Sequence, residues 1–217
     1  MLFICQPQMP VHQLSVTTVI LAGGRGTRIG GDKGLQTLHG MALINWVLEA
    51  VNSNSDEILI NANNAQETYA HFGYRVIADQ IPDWQGPLAG LQAALSCAQT
   101  DYVMTVPCDT PFLPDDLITR LLDAQSLNAS EAAVAVVGGY RQPTIALYSK
   151  SVLPKLLAYL GSGGRKVNDW LDSLRLSEVV FDNVADFDNI NSVEDLARAG
   201  QMPVKTRSKQ INSTGKS

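Results

Sequence analysis

The pattern that most limits what this chain can fold into is its alternation of short apolar runs with longer amphipathic stretches. Residues 17–21 form a β-branched run that stops at Gly23-Gly24. Residues 57–61, 75–78, 102–106, 132–137, 144–148 and 178–181 repeat the theme and read as strands. Between them, residues 42–52 put Leu43, Ile44, Val47, Leu48 and Val51 on one helical face, and residues 87–99 do the same with Leu88, Leu91, Leu95 and Ala98. Shorter helices are expected over 65–71, 151–160 and 166–174. Another should start at Pro114-Asp115-Asp116, where proline and two acids suit a first turn. A last helix is expected after Ser192-Val193-Glu194-Asp195, a capping-box pattern. Strand–helix alternation of this kind predicts a three-layer α/β/α domain with a mostly parallel, doubly wound sheet. The domain is expected over residues 15–200, with a loosely ordered segment at 1–14 and a basic, disordered tail at 201–217.

Composition removes several function classes. At 217 residues and 45% hydrophobic content, the chain can bury one large core. Its net charge is −5, and setting aside Lys205, Arg207, Lys209 and Lys216 of the tail takes it to −9. An acidic body is a poor partner for a nucleic-acid backbone. Cys5, Cys97 and Cys108 form no C-x-x-C and read as reduced thiols of a cytoplasmic protein. No apolar run reaches membrane-spanning length, so no membrane association is expected. His12, His39 and His71 stand in no constellation, and neither G-x-S-x-G nor H-E-x-x-H occurs, which disfavours triad hydrolases and zinc enzymes.

In a doubly wound sheet, ligands bind beyond the carboxyl ends of the strands. That rule puts the glycine loop after the first strand, Asn61, Asp79 and Cys108-Asp109 on one rim. The loop from Leu21 to Gly34 carries six glycines with Arg25, Arg28 and Lys33. Its backbone can turn several N–H groups into one concavity, and its cations suit phosphate oxygens. It is neither G-x-G-x-x-G, since Ile29 stands where the last glycine belongs, nor a P-loop, since Lys33 lies between Asp32 and Gly34. Asp109, between Pro107 and Pro111, is a lone acid of the kind Mg²⁺ accepts beside phosphate and water. Asp186 to Asn191 alternates acids and amides ahead of the last helix, so Asn189 or Asn191 could complete a metal or phosphate site, or Asn191 could simply cap the helix. Gly161 to Lys166 is a second glycine-rich basic turn, equally readable as an acceptor-phosphate site or a solvated loop. Gly86-Pro87 opens a helix whose N–H groups could meet a base edge.

These motifs together resemble one family. L-A-G-G-x-G-x-R followed by D-K-G is the loop of NTP-transferase-like proteins. In order come G-G-D-K-G-L at Gly30 to Leu35, I-N-A-N at Ile60 to Asn63, V-I-A-D at Val76 to Asp79, G-P-L-A-G at Gly86 to Gly90, P-C-D-T-P-F-L-P at Pro107 to Pro114 and F-D-N-I-N-S-V-E-D-L-A at Phe187 to Ala197. The combination is similar to the molybdenum cofactor guanylyltransferase family across residues 16–200. It departs from that family's usual pattern at Gly40-Met41-Ala42-Leu43, at Gly31, which abuts Asp32, and at Asn64.

The resemblance implies a Rossmann-like nucleotidyltransferase fold and transfer of GMP from GTP to molybdopterin, with pyrophosphate released and Mg²⁺ as cofactor. It implies GTP binding by Leu21, Ala22, Gly23, Lys33, Asn61, Asp79 and Asp109, with Asp109 also binding the metal. Lys33, Arg28 and Asp109 would be catalytic, Asn189 and Asn191 would sit near the phosphates, and Arg165 and Lys166 near the acceptor. Transient contacts with molybdenum cofactor biosynthesis proteins or acceptor apoenzymes are implied too. Two other readings stay open on the residues alone. One is the same chemistry on another pair of substrates, such as a cytidylyltransferase acting on molybdopterin or another phosphorylated acceptor. The other is a non-catalytic nucleotide- or cofactor-binding protein.

Overall fold

The computed structural model describes residues 14–23, 32–81 and 86–202. Its strands are β1 (Val16–Leu21), β2 (Thr37–Leu38), β3 (Met41–Ala42), β4 (Glu57–Asn61), β5 (Arg75–Ile77), β6 (Tyr102–Pro107), β7 (Ala132–Val137), β8 (Tyr140–Ser149) and β9 (Leu176–Phe181). Its α-helices are α1 (Leu43–Val51), α2 (Gln66–Ala70), α3 (Pro87–Cys97), α4 (Leu117–Asn128), α5 (Leu153–Gly161), α6 (Val167–Asp172) and α7 (Val193–Ala199).

Seven strands form one sheet in the order β5-β4-β1-β6-β8-β7-β9. Every pairing is parallel except those of β8, which runs antiparallel to β6 and β7. The chain winds from β1 outward through β4 to β5, then returns to place β6 on the other side of β1. The switch point of the sheet therefore lies at β1, between β4 and β6.

Strand periodicity decides the layers. Along a strand successive side chains point to opposite faces. Accordingly Val16 and Ile20 of β1, Ile58 and Ile60 of β4 and Met104 and Val106 of β6 share one apolar cluster with α1 and α4. Val19, Leu59 and Val103 join α3, α5 and α6 in a second cluster on the opposite face. Both faces are covered, so β7 is buried at all six positions, as expected of a strand without a solvent face. A smaller cluster of Leu38, Leu43, Trp46, Ile190 and Ala199 ties the β2–β3 hairpin to α7.

The helix faces expected from the sequence hold. Leu43, Ile44, Val47, Leu48 and Val51 are buried in α1, as are Leu88, Leu91 and Leu95 in α3, followed by Ala98. Three expectations need correction. α4 begins at Leu117, and Pro114 to Asp116 form a preceding turn in which the Leu117 N–H donates to the Pro114 carbonyl at 3.2 Å. A 3₁₀ turn, Lys150–Val152, precedes α5, so that helix starts only at Leu153. Finally, β8 starts four residues earlier than residue 144, because Gly138 and Gly139 both take positive φ (57° and 82°) and fold β7 straight back into β8. Two consecutive left-handed residues make the tight hairpin turn whose twist matches the strands. The segments at 1–13 and 203–217 lie outside the described residues.

Candidate active site

A cleft of about 600 Å³ opens at the carboxyl ends of β1, β4, β5 and β6. Its lining runs from Leu21, Ala22 and Gly23 past Asn61, Asn63, Asn64 and Asp79 on one side. On the other it includes Lys33, Pro107, Cys108 and Asp109, with Gly86, Pro87 and Thr144 completing the wall.

The floor is set by backbone pairing. The Ala22 N–H donates to the Asn61 carbonyl at 2.8 Å, and the Cys108 N–H donates to the Leu21 carbonyl at 3.2 Å. Residues 21–22 are thereby held between the ends of β4 and β6. Close packing then shapes the wall. A Cβ at Gly90 would stand 2.3 Å from Asn61 Oδ1 and 2.7 Å from Leu21 Cδ2. Only glycine lets α3 press its first turn against the Asn61 side chain. Pro87 at the head of α3 has no N–H to lose, so it suits the position.

Two aspartates mark the two ends of the cleft. At one end, Asn61 Nδ2 donates to Asp79 Oδ1 at 3.0 Å and Asn63 Nδ2 donates to Asp79 Oδ2 at 2.8 Å. The Asp79 N–H returns a bond to Asn63 Oδ1 at 2.9 Å. Here, among the described residues, two neutral amides donate to the carboxylate. At the other end, Lys33 Nζ lies 3.3 Å from Asp109 Oδ2 and 2.6 Å from Asn191 Oδ1. Asp109 is only 8% exposed. Burial pushes its carboxyl above the ordinary value of 3.8, and the Lys33 ammonium pulls it back in part.

The stretch at 188–192 braces this second end. The Ile190 N–H donates to the Asp109 carbonyl at 2.9 Å, and Thr110 Oγ1 donates to Asn189 Oδ1 at 2.5 Å. Asn191 is in turn fixed by α7. Its N–H donates to Asp195 Oδ2 at 3.0 Å, while the Asp195 N–H donates to Ser192 Oγ at 3.1 Å. The capping pattern read from the sequence is therefore real, except that the acid reaches one residue further back than a standard box.

The structure thus brings Leu21, Ala22, Gly23, Lys33, Asn61, Asp79 and Asp109 to one cleft, with Asn189 and Asn191 bonded to its rim. It does not bring Arg165 and Lys166 to the cleft lining. Arg165 Nη1 donates to the Leu160 carbonyl at 2.9 Å and so caps the end of α5, and the Lys166 carbonyl accepts from Tyr159 Oη at 3.0 Å. Arg28 and the rest of residues 24–31 lie outside the described residues. Asn63 and Thr110 are participants that sequence reasoning passed over. The amide spacing in Asn61-x-Asn63, just past a strand end, was the available signal for the first. The Thr110–Asn189 bond spans 79 residues and left no local trace.

Buried oxygen chemistry at Asp109 fits a hard divalent cation. Mg²⁺ takes one or two protein carboxylates and completes its shell with phosphate and water. Asp109 is a carboxylate with a costly desolvation that a cation would offset, and the amide oxygen of Asn191 accepts from the same lysine. No cluster of three or more His, Cys, Asp or Glu side chains occurs among the described residues, and a phosphate-shared Mg²⁺ site requires none. No helix among the described residues is long and apolar enough to cross a membrane.

Comparison with known proteins agrees with this geometry. The MobA-like NTP transferase domain model matches residues 18–179. A molybdenum cofactor guanylyltransferase of Cupriavidus metallidurans is 45% identical over 187 residues, covering 83% of this chain and 92% of the relative. One of a Shewanella species is 42% identical, covering 85% and 95%. Among solved structures, molybdopterin-guanine dinucleotide biosynthesis protein A of Archaeoglobus fulgidus superposes with a TM-score of 0.71 at 25% identity, covering 85% of this chain and 96% of its own.

Proposed function

The chain belongs to the MobA-like NTP transferase domain family, and on that premise we propose that it transfers GMP from GTP to the terminal phosphate of molybdopterin, releasing pyrophosphate and forming molybdopterin guanine dinucleotide. It is a nucleotidyltransferase, as its relatives are. The observation that carries the site reading is the convergence of Lys33 and Asp109 at one end of a cleft whose other end is an amide-held carboxylate.

The reaction asks little covalent chemistry of the protein. A terminal phosphate oxygen of the acceptor attacks the α-phosphorus of GTP. The new P–O bond forms as the bond to the β-phosphate oxygen breaks, and pyrophosphate leaves with the electron pair. The nucleophile is already anionic at neutral pH, so no general base is required. That accords with a cleft lined by no histidine and no serine among the described residues.

What remains is alignment and charge neutralisation. An ammonium has three donors, so Lys33 can keep its bonds to Asp109 and Asn191 and still donate to an α-phosphate oxygen. Its two anchors hold the charge in place before substrate arrives, which is the source of its effect on rate. The Asp109 carboxylate would hold Mg²⁺, whose contribution when bound is to neutralise phosphate charge, while the Asn191 amide oxygen keeps Lys33 in place. At the far end, the Asp79 carboxylate presents acceptor oxygens to a base edge, held by the Asn61 amide, which donates to Asp79 Oδ1 and to the Ile77 carbonyl. Guanine offers two adjacent N–H donors, N1–H and N2–H, on one edge where cytosine has a single amino donor, and the two oxygens of a fixed carboxylate favour the paired donors. Arg28 and the glycine loop would contribute N–H groups and charge to the triphosphate. Arg165 and Lys166 would approach the acceptor only through a change at the α5–α6 turn.

The test is direct: incubate the protein with GTP, Mg²⁺ and molybdopterin, and look for the guanine dinucleotide by mass, with CTP as a parallel. A guanine dinucleotide from GTP and no product from CTP is the expected result. A cytosine dinucleotide alone would move the reading to a cytidylyltransferase, and tight GTP binding without pyrophosphate release would make the protein a binder.

A further inference from the structure

Lys33 is positioned from behind by a side chain that never reaches the cleft. Tyr69, on α2, is completely buried. Its hydroxyl donates to Asp32 Oδ1. Asp32 is the residue before Lys33 and opens the 3₁₀ turn Lys33–Leu35, which closes with the Leu35 N–H on the Asp32 carbonyl at 3.2 Å and the Gln36 N–H on the Lys33 carbonyl at 3.1 Å. The residue after Lys33 meets the same hydroxyl. A Cβ at Gly34 would stand 2.7 Å from Tyr69 Oη and 3.2 Å from Cys108 Sγ. The backbone on both sides of Lys33 is thus pressed onto one phenol, and on to the cysteine that precedes Asp109.

A buried phenol must find an acceptor or bear the cost of an unmade bond. Asp32 meets that need, and the bond is charge-assisted when the carboxylate is ionised. Burial lifts the Asp32 carboxyl above its ordinary value, while the Tyr69 hydroxyl and the Gly34 N–H pull it down. The ring itself is fixed by apolar neighbours, packing 6.2 Å from Phe72 in a tilted pair. A rigid ring holding a rigid turn leaves the lysine stem little choice of origin.

We infer that Tyr69 is a positioning residue for the transfer reaction: through its hydrogen bond to Asp32 and its contact at Gly34, it fixes the turn from which Lys33 reaches Asp109 and Asn191. The inference rests on the reading of Lys33 as the group that serves the α-phosphate. Neither Tyr69 nor Asp32 lines the cleft, so their effect on rate passes through Lys33.

The test is Tyr69→Phe, which keeps the ring and removes only the hydroxyl. Misplacing a reacting group by a fraction of an ångström to one ångström costs up to about a hundredfold in rate, and we expect kcat to fall about tenfold with KM for GTP within a factor of about two. The diagnostic is the same change made in a Lys33→Ala background, followed by pyrophosphate release. If Tyr69 acts through Lys33, Tyr69→Phe has no further effect there. A tenfold loss in both backgrounds would show general damage to the fold and overturn the inference, as would unchanged kcat in the single variant. Should Tyr69→Phe fail to fold, Asp32→Asn and Asp32→Ala address the bond from its other end. Asparagine can still accept from the phenol and should retain more turnover than alanine, and equal losses would overturn the inference. A wild-type protein that forms no guanine dinucleotide would count against the proposed function, not against this linkage.

Discussion

The two ends of the cleft each centre on an aspartate, yet they are built from opposite materials. Asp109 is buried, lifted by desolvation and faced by an ammonium 3.3 Å away. Asp79 accepts from the amides of Asn61 and Asn63 at 3.0 and 2.8 Å. An ion pair of fixed charges acts through field and suits a highly charged ligand whatever its detailed shape. A carboxylate between amides acts through the pattern of donors and acceptors, which discriminates between ligands of equal charge. The contrast assigns rate to one end and recognition to the other. It also explains why one sheet edge can serve both: β6 delivers the first aspartate and β5 the second, on opposite sides of the switch point at β1.

The sharpest way to break the contrast is Asp109→Asn. It should lower Mg²⁺-dependent turnover by about a thousandfold or more, since a metal supplies several kcal/mol of charge stabilisation. The same variant should be more stable than wild type. In the metal-free protein, burial raises the native carboxyl above its unfolded value of 3.8, so the native state binds a proton that the unfolded chain has released. That favours folding fully below pH 3.8, and the benefit is lost as pH rises through the native value. At pH 7 the ionised Asp109 therefore costs stability, and Asp109→Asn should raise Tm by a few degrees in calorimetry without metal. The difference should shrink as pH falls towards 3.8. A lower Tm at pH 7 would show the Lys33 pairing to outweigh burial.

Lys33→Ala follows in size. Removing one preorganised donor aimed at developing charge costs about 10²–10³ in kcat, and steady-state kinetics should show that loss with KM for GTP changed much less. Asp79→Asn should do the reverse. Losing a charged acceptor in a half-buried site is worth about ten- to a hundredfold in binding, so KM for GTP rises while kcat stays within a few-fold. The preference for GTP over CTP should narrow with it. Asn63→Ala is the mildest, because it removes two bonds that orient Asp79 and leaves the carboxylate in place. Its expected effect is about three- to tenfold on Kd for GTP, read by titration calorimetry with GTP. If Asp79→Asn lowered kcat more than Lys33→Ala did, the division of labour would be reversed.

Much of this was legible in the sequence because it is carried by local pattern. The period of Leu43, Ile44, Val47, Leu48 and Val51 gave α1, and the run at 57–61 gave β4 to the residue. The rule that ligands gather at strand ends is enough to put Lys33, Asn61, Asp79 and Asp109 on one rim. The reversal of β8 was missed because it depends on the φ angles of Gly138 and Gly139, and a glycine pair reads equally well as a loop. The Tyr69–Asp32 bond was missed because it joins residues 37 positions apart, and a tyrosine on a short helix carries no mark of what its hydroxyl will meet. At the α5–α6 turn the sequence leaves an acceptor-phosphate site and a solvated loop equally open, because glycines and a cation suit both, and in the fold Arg165 donates to the carbonyls of Leu160 and Gly164.

The account depends on which way a nucleotide lies in this cleft, and a crystal structure with GTP and Mg²⁺, without acceptor, decides it. Guanine should lie within hydrogen-bonding distance of Asp79 and Asn61, with the α-phosphate at Lys33 Nζ and the metal on Asp109. A nucleotide bound in the opposite sense, with its phosphates against Asp79 and its base beside Lys33, would contradict it.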